Sequence, residues 1–308
     1  MRGLKHIIVW TLVLIAGIKT GVAQLDPLYN QYLFNQSMIN PAYTGIHDVL
    51  NATAISRYQW AGIEGAPKTN SLNISTSLLD NKAGVGVFLV NDNYGISNNT
   101  EIQLLYSYRI EFIGAGKLSF GLQTGLINYT YDYNKLNLEY VDDPEVLGAQ
   151  TNISYKNFGT GVFYMDDNYY VGISVPRILN TNIKDGGGAE STRYRRHFYL
   201  SAGMLIDHWL SIKFKPSVLV KYVDGHAASF DLNAQLLFKE VLWAGVTLRD
   251  FNNGGLTGQF EINDRLRLGY TFEIPLNPLN ARGFGTHELM ISFDLEIFEN
   301  HAIGRRYF

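Results

Sequence analysis

The sequence predicts an all-β fold, an antiparallel transmembrane β-barrel of about 14 strands in a bacterial outer membrane, with short periplasmic turns and longer extracellular loops. Three observations predict it. Short segments alternate polar and apolar residues from residue 49 to residue 297, an export signal precedes them, and the connections between them alternate in length.

Residues 1–23 read as the signal. Arg2 and Lys5 precede an apolar run over residues 7–18, and Gly21-Val22-Ala23 supplies small residues before Gln24. The run falls short of the roughly 20 apolar residues that a helical anchor needs, so cleavage after Ala23 is expected. Loss of Arg2, Lys5 and Lys19 takes the formal charge from −3 to −6. Residues 24–47, rich in Asn, Gln and Tyr and without clean alternation, are expected to be a periplasmic N-terminal segment or a partial plug.

The barrel is assigned to residues 48–298. Its strands are expected at 49–58, 69–79, 83–91, 99–112, 117–131, 155–165, 169–177, 194–206, 208–222, 228–239, 241–249, 255–262, 265–274 and 286–297. The fourth shows the pattern best. Ile102, Leu104, Tyr106, Tyr108, Ile110 and Phe112 take one face, and Glu101, Gln103, Leu105, Ser107, Arg109 and Glu111 the other. Successive strand side chains point to opposite sides, so each segment has one oily and one wet side. A soluble sandwich would share that period. It has no reason to sort its loops, yet here 80–82, 113–116, 166–168, 207, 240 and 263–264 are short. The connections between them, 59–68, 92–98, 132–154, 178–193, 223–227, 250–254 and 275–285, are generally longer. Both ends of the barrel then face the periplasm. Residues 299–308 form a tail ending in Phe308, an aromatic that resembles a barrel-assembly signal but stands beyond the last strand.

Composition agrees. Charged residues are 17% of the chain, against about 25% in soluble proteins, and the 20 Tyr and 17 Phe suit aromatic girdles. Inward-facing charges are mixed: Arg109, Lys213, Lys215, Lys221, Lys239, Arg249, Arg265 and Arg267 against Glu101, Glu111, Asp231, Glu261, Glu273, Glu288, Asp294 and Glu296. Mixed signs point to a lumen crossed by ion pairs rather than to an ion-selective pore. No basic cluster suggests nucleic acid.

The search for chemistry yields no catalytic, metal or cofactor set. The chain has no Cys, and its seven His lack the spacing of a zinc motif. His287 and Glu288 are adjacent on a strand and so face opposite sides. Ser174, in Gly172-Ile173-Ser174-Val175-Pro176, lacks the strand-to-helix turn of a nucleophile elbow and reads as a lumen hydroxyl. Gly186-Gly187-Gly188 reads as loop flexibility, and Asp142-Asp143 as solvated loop charge. The loop from Arg57 through Trp60 and Gly62 to Pro67 offers a large anchor on a pinned backbone, the composition of a binding hot spot.

The chain resembles the PorP/SprF family of outer-membrane proteins of the type IX secretion system of Bacteroidota. The matching residues are Asp26-Pro27, Gln31-Tyr32-x-Phe34-Asn35 and Asn40-Pro41-Ala42-Tyr43-x-Gly45. They continue in Arg57-x-Gln59-Trp60-x-Gly62-x-x-Gly65-Ala66-Pro67-x-Thr69, Gly84-x-Gly86 and Asn91-Asp92-x-x-Gly95. Later matches are Gly172-x-Ser174-x-Pro176, Arg196-His197-x-Tyr199-Leu200, Asp231-Leu232-Asn233 and Gly285-Thr286-His287-Glu288. The resemblance implies a non-enzymatic outer-membrane component, in contact with outer-membrane lipid and other type IX components. It also implies export or surface attachment of a partner with a C-terminal sorting domain, such as a large adhesin, and a link to gliding motility. Tyr43, Arg57, Trp60, Gly62, Pro67, Asn91 and Asp92 are the candidate partner contacts. A porin-like diffusion channel for small solutes is the alternative, supported by the polar lumen.

Overall fold

The computed structural model describes residues 29–112, 116–132, 150–184, 190–209, 211–224, 226–276, 283–299, 301, 303–304 and 306–308. The strands are β1 (Leu50–Tyr58), β2 (Lys68–Leu78), β3 (Ala83–Tyr94), β4 (Ser97–Phe112), β5 (Gly116–Asp132), β6 (Gln150–Met165), β7 (Tyr169–Val175), β8 (Thr181–Lys184), β9 (Glu190–Tyr194), β10 (His197–Met204), β11 (Ile206–Trp209), β12 (Ile212–Val223), β13 (Ser229–Phe238), β14 (Leu242–Arg249), β15 (Asn253–Glu261), β16 (Leu266–Pro275) and β17 (Thr286–Leu295). Each pairs antiparallel with its neighbours, β1 with β17 and β10 with β12 completing the ring, so the described residues form a closed 14-stranded barrel. β11 continues β10 beyond Leu205, and β8 and β9 form a separate hairpin.

Alternation builds the wall. On β4, Glu101, Gln103, Leu105, Ser107 and Arg109 are buried inside, while Ile102, Leu104, Tyr106, Tyr108, Ile110 and Phe112 are exposed outside. The outward set meets its like across the ladder, with Ile102 opposite Leu126, Tyr106 opposite Leu122 and Tyr108 opposite Phe120. This apolar face is stable only against lipid. Leu104, near the middle of β4, is therefore a sensitive position: Leu104→Arg should cost about 2–4 kcal/mol of folding free energy. A urea titration of folding into lipid vesicles measures it.

Several boundaries differ from the sequence expectation. The outer connection placed at 92–98 is only Gly95-Ile96, because β3 and β4 pair up to Tyr94↔Ser97. Asn91 and Asp92 therefore lie on β3. The turn placed at Asp207 comes later: Ile206 pairs with Phe214 and Trp209 with Ile212. Lys239, placed on a strand facing inward, instead forms a tight turn with Glu240, both at positive φ, closed by Val241 N–H donating to the Phe238 carbonyl. Left-handed residues at both central positions match the twist of the flanking strands. Arg265 and Glu296, also placed inward, are exposed and pair with each other beyond the strand ends. The β8–β9 hairpin was not foreseen. Asp142-Asp143 and Gly186-Gly187-Gly188 lie outside the described residues.

The lumen is not empty. Residues 29–48 run down it as three short 3-10 turns, Asn30–Leu33, Gln36–Met38 and Pro41–Tyr43. Asn35 and Asn40 cap the second and third by accepting from the backbone N–H of Ser37 and Ala42, and Pro41 pre-sets the first residue of the last turn. The segment lies at Asn30 beside the outer ends of β16 and β17 and descends to the periplasmic start of β1. The final residues enter from below. Phe308 is buried with Tyr43, Phe163, Tyr170, Leu237 and Trp243, so it takes no place on the lipid face of the last strand.

Candidate functional site

The first part of the site is the bonding that holds the lumen segment. A 3-10 turn leaves most of its carbonyls without internal partners, and buried carbonyls must find donors. The wall supplies them. Ser174 Oγ donates to the Ile39 carbonyl at 2.6 Å, Ser119 Oγ to Ala42 at 2.6 Å and Ser107 Oγ to Thr44 at 2.7 Å. Arg109 donates to the Gly45 carbonyl. Asn40 Nδ2 donates back to the Val162 carbonyl at 3.1 Å. Two wall glycines let the backbones touch. A Cβ on Gly121 would stand 2.0 Å from Ala42 N, and one on Gly84 2.1 Å from the Thr44 oxygen.

Charge pins the outer end. Glu288, fully buried, accepts from Asn30 N–H at 3.1 Å and Gln31 N–H at 3.2 Å and pairs with Arg57. Arg249 joins Asp231 at 2.9 Å and Glu273 at 3.3 Å and donates to Asn30 Oδ1 at 2.8 Å. At the opposite wall Arg177 folds inward onto Glu101. Beside them a cleft is lined by Tyr29, Tyr32, Phe88, Glu101, Arg177 and Tyr199. The mixed-sign lumen thus serves to bind the chain's own segment.

The periplasmic mouth is closed by polar and aromatic groups together. Tyr43 Oη donates to the Phe308 carbonyl at 2.6 Å and lies 2.7 Å from His47 Nε2. Burial, followed by the positive field of Arg306, Arg267, Arg109 and Lys117, holds the His47 pKa well below its ordinary value. A neutral imidazole is the result. With the Tyr43 proton committed to Phe308, His47 donates from Nε2.

The outer rim is the second part. Its loops are bonded to one another. Ala61 N–H donates to the Gly285 carbonyl at 2.8 Å, and Phe284 N–H returns to Ala61 at 2.8 Å. Gly95 N–H donates to Gly65 at 2.9 Å, and Leu276 N–H to Asn252 at 2.6 Å. On this frame Trp60, Ile63, Phe251, Leu276 and Phe284 are exposed, Phe284 at 78%. Trp60 and Phe251 have φ of 50° and 54°, a region that bulky residues seldom occupy and that costs of order 1–3 kcal/mol each. Gly62, at φ 90°, leaves room for the Phe284 ring, which a Cβ would meet at 2.6 Å.

The seven candidate contacts therefore divide. Trp60 and Gly62 stand exposed on the rim, Pro67 closes the same loop by accepting from Gln59 N–H, and Asn91 bonds Asn98 and Thr100 across the β3–β4 hairpin. Tyr43, Arg57 and Asp92 are buried inside, Asp92 accepting from Thr69 Oγ1 at 2.7 Å. Sequence reasoning did not single out Phe251, Leu276 and Phe284, because lone apolar residues in polar loops look like strand ends.

The comparisons fit this architecture. The sequence matches the family described as "Type IX secretion system membrane protein PorP/SprF" over residues 21–293. No similar protein was found among the curated proteins. Among solved structures, the fold is similar to the "CymD monoaromatic hydrocarbon channel", with TM-score 0.54 and 11% identity over 91% of this chain and 96% of that one. It is also similar to the "TodX deltaS2S3 mutant monoaromatic hydrocarbon channel", with TM-score 0.50 and 10% identity over 87% and 95%. Identity this low shows shared fold alone. A match over nearly the whole sequence shows more: the chain belongs to the PorP/SprF family of type IX secretion system membrane proteins.

Proposed function

We propose that this chain is a non-enzymatic barrel, delivered to the outer membrane by a cleaved signal. It serves export or surface attachment of a secreted partner that carries a type IX C-terminal sorting domain, such as a large adhesin, with a link to gliding motility. One observation carries the reading: the lumen is occupied by residues 29–48 while the outer rim is cross-bonded and displays Trp60, Ile63, Phe251, Leu276 and Phe284. A diffusion channel needs an unobstructed path. A docking platform needs rigid, exposed anchors, and preformed loops spare the partner the cost of ordering them. Large aromatics on such a frame are the residue type that dominates binding energy.

Trp60→Ala tests the platform. Truncating a hot-spot aromatic costs about 2 kcal/mol or more, roughly thirtyfold in affinity. In a deletion strain complemented with this variant at normal barrel abundance, surface-retained proteins with sorting domains should fall to a small fraction of the wild-type level. Retention equal to wild type removes Trp60 from the interface.

A further inference from the structure

We propose that the chain's last residues are a strap across the periplasmic mouth that retains the lumen segment. After β17 the chain passes beneath β2, where His301 Nε2 lies 3.1 Å from Ser77 Oγ. Arg306 pairs with Asp294, which also holds Arg267 and accepts from Asn51 Nδ2 at 2.8 Å. Tyr307 reaches the far wall. Its hydroxyl donates to Glu240 at 3.1 Å and accepts from Lys213 Nζ at 2.9 Å, with Lys213 4.2 Å over its ring. Phe308 packs edge-on to Tyr170 at 5.1 Å. The strap thus spans from the β17–β1–β2 side to the β7 and β12–β13 side.

Two groups stitch it to the lumen segment. The first is Tyr43, whose hydroxyl donates to the Phe308 carbonyl. The second is Lys215 on β12, whose buried ammonium donates to the Tyr307 carbonyl at 2.9 Å and to the Leu33 carbonyl at 3.4 Å, 4.4 Å from the Trp243 ring. One lysine therefore ties wall, strap and lumen segment together. The two carbonyls and the Trp243 ring give the lysine's N–H groups partners inside the barrel. Removing the strap takes away the floor under Tyr43 and one of the two carbonyls of Lys215. The lumen segment then has only the wall to hold it.

The natural absence of Cys gives a clean test. Ser37 is buried in the lumen segment, and Ser37→Cys makes it a single reporter for a water-soluble maleimide on the full-length barrel in lipid vesicles. Heat-modifiable gel mobility reports that the barrel itself is folded. Lys215→Met, and separately Tyr43→Phe, should raise the labelling rate of that single thiol, by tenfold or more for Lys215→Met and severalfold for Tyr43→Phe. Removing residues 299–308 should do the same. Labelling as slow as in the parent, in whichever of these variants keeps the folded mobility, overturns the strap. Tyr43→Phe removes a single hydroxyl and keeps the test decisive should the larger changes prevent assembly.

Discussion

Valine at position 121 should open the barrel without unfolding its wall. Gly121 sits on β5, laddered to β4 and β6 along its length, so it cannot retreat. A Cβ there would stand 2.0 Å from Ala42 N and 2.3 Å from Pro41 C. Neither distance is physical, and the two added methyls of valine make matters worse. The lumen segment must give way. Overpacking a well-packed interior costs about 1–3 kcal/mol, and a clash with backbone lies at the upper end because no rotamer change relieves it. The expected result is single-channel conductance in planar bilayers from Gly121→Val, where the parent is silent, with folded gel mobility in both. Gly258 is the control: its Cβ would meet only the Trp243 oxygen at 3.5 Å, so Gly258→Ala should stay closed. A silent Gly121→Val barrel with native fold would refute the tight fit of segment and wall.

The second large effect is expected at Glu288. Its carboxylate pairs with buried Arg57 and accepts the backbone N–H groups of Asn30 and Gln31. Glu288→Ala takes the carboxylate from a buried guanidinium and strips two buried donors of their acceptor. Breaking one half of a buried ion pair typically costs about 3–5 kcal/mol. The double replacement Arg57→Leu with Glu288→Leu should recover much of that loss, because no charge is then left buried alone. Urea titrations of folding into vesicles, run on the single and double variants, read both values. A single-variant loss under about 1 kcal/mol would mean that the pair does little for the barrel.

The contrast between wall and filling shows what sequence reveals. Every wall strand was legible, because lipid outside and polar groups inside force alternation on residues such as Ile102 to Arg109. Near the rim the rule fades. Residues 92–98 read as a loop because both faces of a strand beyond the lipid can be polar, yet the register runs unbroken to Tyr94 and Ser97. The β8–β9 hairpin was hidden for the same reason.

The lumen segment was harder still. Residues 29–48 have no period, since the second and third 3-10 turns are set by local caps at Asn35 and Asn40 and the carbonyls of Ile39, Ala42 and Thr44 are satisfied by wall hydroxyls far along the chain. Only the fold brings Ser119 to Ala42 or Glu288 to Asn30. Much of the family pattern, from Gln31 and Tyr43 through Gly84 and Ser174 to Asn233 and Glu288, turns out to hold this segment in place. Trp60 and Gly62 belong to that pattern too and are exposed on the outer rim.

A clean deletion of this gene, compared with its parent by quantitative surface proteomics and by uptake of small solutes, tests the central claim most directly. The expected result is that one or a few secreted proteins with C-terminal sorting domains leave the surface while solute uptake is unchanged. An unchanged surface proteome with impaired uptake would contradict it and make the barrel a diffusion channel.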